Sequence, residues 1–246
     1  MLLIGVGAEI GATLIAMNHP DIDGFRISTA VTNEICTESQ YPKIRPIHSV
    51  VARLLMAEPR LIDDISFNDS SNVIHVRGNP IEVIWGDISL VDSNTLQKHF
   101  SACVVATSKT HIDDVTVMER LTDVSDYVVG VAEASNFPAV YPNLQNVSKR
   151  WLPNPHHPIG ENRIFALGSC QSNGWHAQLR AVLDLADREL FENFEICGVE
   201  VDIVHPDTPT GRLGTKSIEP RSQDPRDNFR PSFSQVQQSM GLLFPE

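Results

Sequence analysis

The chain has 246 residues, 41% of them hydrophobic, enough to bury a substantial core in one large domain or two modest ones. Acidic residues outnumber basic ones 31 to 19, a formal charge of -12 that works against nucleic acid or an anionic membrane as partner. No apolar stretch approaches the roughly 20 residues of a bilayer span, and no charged leader with a small-residue cleavage site opens the chain. Four dispersed cysteines without C-x-x-C spacing predict reduced thiols in a cytoplasmic protein, with neither a disulfide framework nor a zinc site.

The opening stretch, "LLIGVGAEIGATLIAM", reads as a short apolar strand, a glycine turn and a helix. Gly5, Gly7 and Gly11 let backbone approach a pyrophosphate at a helix N-terminus, with Ile10 in the first helical turn. The spacing is G-x-G-x-x-x-G, one residue longer than the dinucleotide fingerprint. "FRISTAVTNE" supplies a second strand that ends in Asn33 and Glu34, an acidic strand end of the kind that holds an adenosine ribose. A carboxylate there repels a 2′-phosphate, so NAD is expected in preference to NADP.

"NVIHVRGNPIEVIWGD" reads as two alternating strands around a turn at Gly78, Asn79 and Pro80. "SACVVATSKTHI" is a buried-type strand running into the hydroxyl residues Thr107 and Ser108. A helix follows over residues 115–121, then the strand "DYVVGVAEAS". Strands alternating with helices predict an α/β fold with a parallel sheet. Residues 138–158 are rich in proline and asparagine and lack periodicity, which predicts a long loop. His156 and His157 point apart in an extended loop, and no metal is expected.

The strand "RIFALG" leads into Ser169, Cys170, Gln171, Ser172 and Asn173 and a helix to about residue 190. A thiol at a helix N-terminus has its thiolate favoured by the helix dipole, and backbone N–H groups there can face an oxyanion. A buried, space-filling cysteine is the plainer reading. The later stretch "GVEVDIVHPDTPTG" delivers His205 at a strand end, within plausible reach of Cys170, followed by Thr208 and Thr210, whose hydroxyls suit a phosphate or carboxylate. Cys36, Cys103 and Cys197 follow or accompany apolar runs and are expected to be inert.

Together these motifs resemble the glyceraldehyde-3-phosphate dehydrogenase family. Residues 169–173 are similar to the family's S-C-T-T-N, with Gln171 in place of the first threonine, and residues 204–210 to its V-H-A-I-T-A-T. The ending "NFRPSFSQVQQSMGLLFPE" is similar to N-I-I-P-A-S-T-G-A-A-K-A-V-G-K-V-I-P-E, with Ser234 standing for a phosphate-site threonine. Upstream, "VTNE" is similar to A-I-N-D, and "VVATSKTHI" sits where V-E-S-T-G-V-F stands.

The resemblance implies a Rossmann-like NAD(P)-binding domain over residues 1–167 and a C-terminally shortened α+β catalytic domain over residues 168–246. It implies Cys170 as nucleophile and His205 as its base, with Ser169, Gln171, Ser172, Thr208, Thr210 and Ser234 around the substrate. It places Gly5, Gly7, Ile10, Gly11, Asn33, Glu34, Thr107 and Ser108 around NAD, with NADP as the second possibility. The chemistry is oxidation of a small aldehyde through a thiohemiacetal and an acyl-thioester. The same cysteine also supports non-redox acyl transfer or hydrolysis, and a catalytically silent subunit is a third reading. A shortened catalytic sheet implies a homo-oligomer or a complementing subunit, with residues 212–230 at the contact.

Overall fold

The computed structural model describes residues 1–7, 9–33, 45–68, 70–144, 147, 162–188, 197, 198, 200, 236 and 239–241. Strand β1 (Leu2–Ile4) lies at the centre of the sheet, parallel to β2 (Thr29–Thr32) on one side and β6 (Phe100–Val105) on the other. Its three apolar residues are all buried, since Leu2 and Ile4 enter one core and Leu3 the other. A strand covered on both faces needs such an unbroken apolar run.

Among the described residues the sheet has nine strands in the order β3-β4-β5-β2-β1-β6-β7-β9-β8. From β5 (Asn79–Trp85) through β7 (Ser125–Gly130), β9 (Ile164–Leu167) and β8 (Ala139–Val140) every pairing is parallel. The order β5-β2-β1-β6-β7-β9 corresponds to the 3-2-1-4-5-6 arrangement of the doubly wound dinucleotide-binding sheet. The fold is therefore α/β and compatible with a Rossmann-like fold.

Helices cover both faces. On one face α1 (Glu9–Met17) contributes Ala12, Ile15 and Ala16, and α3 (Pro46–Ala57) contributes Ile47, Val50, Val51 and Leu54. A short α2 (Pro20–Asp23) follows α1 and ends at Gly24. On the other face lie α4 (Ser93–Leu96), α5 (Lys109–Ile112) and α6 (Val115–Leu121), whose Leu96, Ile112, Met118 and Leu121 pack against Ile4, Cys103 and Val105. A final helix, α7 (Cys170–Arg188), buries Leu179 and Leu183 in a third cluster with Tyr141, Leu144 and Val147.

Three expectations change on contact with the structure. The sheet is mixed, because β3 (Ile65–Asn68) and β4 (Val73–Val76) run antiparallel, β3 to β4 and β4 to β5. The hairpin turn falls one residue early, at Arg77 and Gly78 with φ of 49° and 75°, while Asn79 and Pro80 already belong to β5. Two consecutive positive φ values are what a two-residue hairpin needs to match strand twist. The segment read as a loop contains β8 and a 3-10 turn, Pro142–Leu144, whose Leu144 is buried.

The β1-to-α1 turn is the tightest packing point near the sheet centre. Gly5 has φ +93°, and a Cβ on it would sit 2.5 Å from the Ala106 carbonyl and 2.7 Å from Thr107 Cγ2. A Cβ on Gly11 would run into the Gly5 carbonyl. The obstacle at Gly11 is backbone, so Gly11→Ala must push α1 away from β1. The substitution should cost about 2 kcal/mol or more of stability, as overpacking a rigid site does. Urea denaturation checks this, and an unchanged midpoint would contradict the close approach.

Candidate active site at the carboxyl rim of the sheet

The parallel strands all end on one rim, and the loops leaving them carry the polar groups of interest. In open α/β sheets ligands bind beyond the carboxyl ends, where strand order reverses. Here the reversal lies between β1 and β6. The β1 turn is fixed from both sides, since Gly5 N–H donates to Val31 O at 2.7 Å and Ala106 N–H to Ile4 O at 2.7 Å. Val6 N–H reaches Thr32 Oγ1 at 3.4 Å.

Gly5, Gly7, Ile10 and Gly11 are thus placed on the turn and first helical residues after β1, Asn33 directly after β2, and Thr107 and Ser108 directly after β6. Ile10 and Ser108 are exposed. Thr107 Oγ1 is buried and has no hydrogen-bond partner among the described residues. An orphaned hydroxyl beside a glycine cradle that any Cβ would fill fits the backbone and ribose of a dinucleotide. The guanidinium of Arg53, on α3, lies below this turn, with Nη1 3.1 Å from where a Gly7 Cβ would stand. Arg53 is 8% exposed and so places a largely buried positive charge next to the turn. Its position mid-helix gave no signal in the sequence, because only the packing of α3 on α1 brings it there.

Cys170 opens α7 immediately beyond β9 and is exposed. Ser169 caps the helix: its Oγ accepts from Ser172 N–H at 3.1 Å, and its carbonyl accepts from Asn173 N–H at 2.9 Å. Asn173 Nδ2 donates to the Gly168 and Ser169 carbonyls at 2.9 and 3.0 Å, which locks the strand-to-helix corner. The Cys170 backbone N–H is one of the first-turn donors that a helix does not use internally. Ser169 and Ser172 were expected to line the substrate site. Both are buried, their hydroxyl oxygens 3.1 Å apart, so they hold the corner from inside. Gln171, next along the helix, is partly exposed.

Two further titratable groups lie near this corner. Glu133, in the loop after β7, is buried, and its field adds to burial in pushing the Tyr141 phenol up to about 12. His176, one helical face away, is fully buried against the Tyr141 ring at 4.5 Å, and Nε2 is 3.0 Å from Ser239 Oγ. Burial pushes its imidazole down to about 4, so it is neutral near neutral pH and packs α7 without serving as an exposed base.

Glu34, His205, Thr208, Thr210, Ser234, Cys36 and residues 212–230 lie outside the described residues. No group of three or more His, Cys, Asp or Glu among the described residues is placed to hold a metal ion. No described helix is long and apolar enough to cross a membrane. A shallow depression of 470 Å³ bounded by Asp63, Asp64, His75 and Arg77 lies by the β4–β5 turn, at the opposite rim from the glycine turn.

No protein-family model and no curated protein matches this chain. The site therefore rests on its own geometry.

Cys197 is exposed, while Cys103 is buried and its thiol is pushed up by desolvation. Iodoacetamide at near-neutral pH should label Cys170 fastest, Cys197 at the rate of an ordinary exposed thiol, and Cys103 only after unfolding. Peptide mapping reads the order. Labelling of Cys197 ahead of Cys170 would contradict the activated-thiol reading.

Proposed function

We propose that this chain is a cysteine-dependent aldehyde dehydrogenase of the glyceraldehyde-3-phosphate dehydrogenase type, with residues 168–246 carrying the catalytic cysteine and histidine. It takes a small aldehyde as substrate and a nicotinamide dinucleotide as hydride acceptor. One observation carries the reading: the exposed Cys170 lies on the same sheet rim as the glycine turn at the β1/β6 reversal. From β1 to β9 is three strand spacings, about 14 Å at the usual 4.8 Å each. That is a gap a dinucleotide anchored at the turn can span toward the thiol.

The chain's residues divide the work as follows. Gly5, Gly7 and Gly11 bring backbone N–H groups close to the pyrophosphate, and Arg53 adds positive charge beneath it. Thr107 offers its hydroxyl from the β6 side. Ser169 and Asn173 hold the first turn of α7 so that Cys170 faces outward. The Cys170 thiolate attacks the carbonyl carbon, a C–S bond forms, and the oxygen becomes an oxyanion facing the Cys170 N–H and the His205 ring. His205 takes the thiol proton beforehand. A nicotinamide held along the rim by these residues would supply the acceptor for the hydride that the aldehyde carbon must lose. The thioester left on Cys170 is then cleaved by water or phosphate, which takes the acyl group as the C–S bond breaks and returns the thiol.

In this reading the protein works in the cytoplasm as a homo-oligomer or with a complementing subunit. Mass spectrometry of intact protein with short-chain aldehydes is the test. Acylation of Cys170 should require NAD, appear together with reduced nicotinamide, and disappear in Cys170→Ser. Acylation from thioester donors with no acylation and no nicotinamide reduction from aldehydes would replace the redox reading by acyl transfer. Absence of an adduct from either donor class would overturn the nucleophile assignment.

A further inference from the structure

Beyond β5 the chain turns sharply. Gly86 N–H donates to Thr32 O at 3.0 Å, which continues the β2–β5 pairing one step past Trp85 and brings Asp87 alongside Asn33. Asn33 directly follows β2, on the rim where dinucleotide-binding sheets read the adenosine ribose. It presents no charge there; its side chain instead donates to the Asp87 carboxylate. Ser89 N–H donates to Asp87 Oδ1 at 2.8 Å, and the Ser89 hydroxyl also reaches this carboxylate. His111, on α5 across the β1/β6 reversal, lies within electrostatic reach of it. These contacts hold Asp87 in its ionised form below the ordinary carboxylate range, chiefly through Ser89.

We infer that Asp87 sets the dinucleotide preference of the rim site: its carboxylate accepts from a ribose hydroxyl and turns away a dinucleotide phosphorylated at the ribose 2′ position. The inference rests on the dinucleotide reading proposed above and names the group that discriminates within it. A carboxylate has about four acceptor positions. Ser89 and Asn33 do not exhaust them, so a ribose hydroxyl can be accepted without breaking the existing contacts. A 2′-phosphate brings up to about two negative charges of its own against a fixed anion.

The plainer role for Asp87 is that of N-cap for the 3-10 turn Ile88–Leu90. Asparagine caps as well as aspartate. Asp87→Asn therefore keeps the cap and a carbonyl oxygen for the Asn33 contact while removing only the charge, and Asp87→Ser provides a second variant with a capping hydroxyl.

Titration calorimetry of NAD and NADP against the wild type, Asp87→Asn, Asp87→Ser and Glu34→Gln separates the cases. The wild type should prefer NAD. Both Asp87 variants should lower the NAD-to-NADP affinity ratio about tenfold, the order of effect one unit charge has near a protein surface. Glu34→Gln should lower it less. A ratio unchanged in the Asp87 variants, a shift confined to Glu34→Gln, or a wild type that prefers NADP would overturn the role of Asp87 and leave the dinucleotide site standing. A wild type that binds neither dinucleotide would overturn the dinucleotide reading and this inference with it.

Discussion

Close packing at the β1/β6 reversal constrains the rest of the rim. Because β1 pairs in parallel with β2 on one side and β6 on the other, the turn after it must climb away between two neighbouring loops. The Ala106 carbonyl and Thr107 side chain leave no room for a Cβ at Gly5, and the Gly5 carbonyl leaves none at Gly11. The same lack of side chains that lets α1 dock on the sheet would also let the proposed ligand approach the backbone of the turn.

The second fixed point is the corner between β9 and α7. Its polar groups are turned inward: Ser169, Ser172 and Asn173 satisfy one another and the ends of the strand. That arrangement leaves Cys170 as the exposed member of the corner. Behind it, Tyr141 and His176 fill the space under the helix, with His176 kept neutral by burial. An outward thiol on an inwardly satisfied helix start is the local geometry that nucleophilic chemistry needs.

The apolar strands of the central sheet were legible because parallel strands buried on both faces read as short unbroken runs, as at Leu2–Ile4 and Phe100–Val105. Helix α6 was legible as a stretch over residues 115–121, and the structure adds its cap, Asp114, which accepts from Val117 N–H at 3.1 Å. The edge strand β3 was not, since the alternation of Ile65–Asn68 spans only four residues, too short a run to read as a strand. The roles of Arg53, Asp87 and Glu133 were equally hidden. Each acquires its significance from residues more than a strand away in sequence, Gly7, Asn33 and Tyr141 respectively, and no local pattern reports such a meeting. Cys170 stood out because strand, small polar residues and helix are contiguous in the chain.

In the proposed function, one ligand lies along the rim from the glycine turn to the α7 start. Hydrogen–deuterium exchange with and without saturating NAD tests it most directly, because it reads backbone groups at both ends at once. Slower exchange in residues 5–11, 105–112 and 168–173 together is the result predicted. Protection confined to the hairpin around residues 63–78, or no change in any peptide, would contradict it.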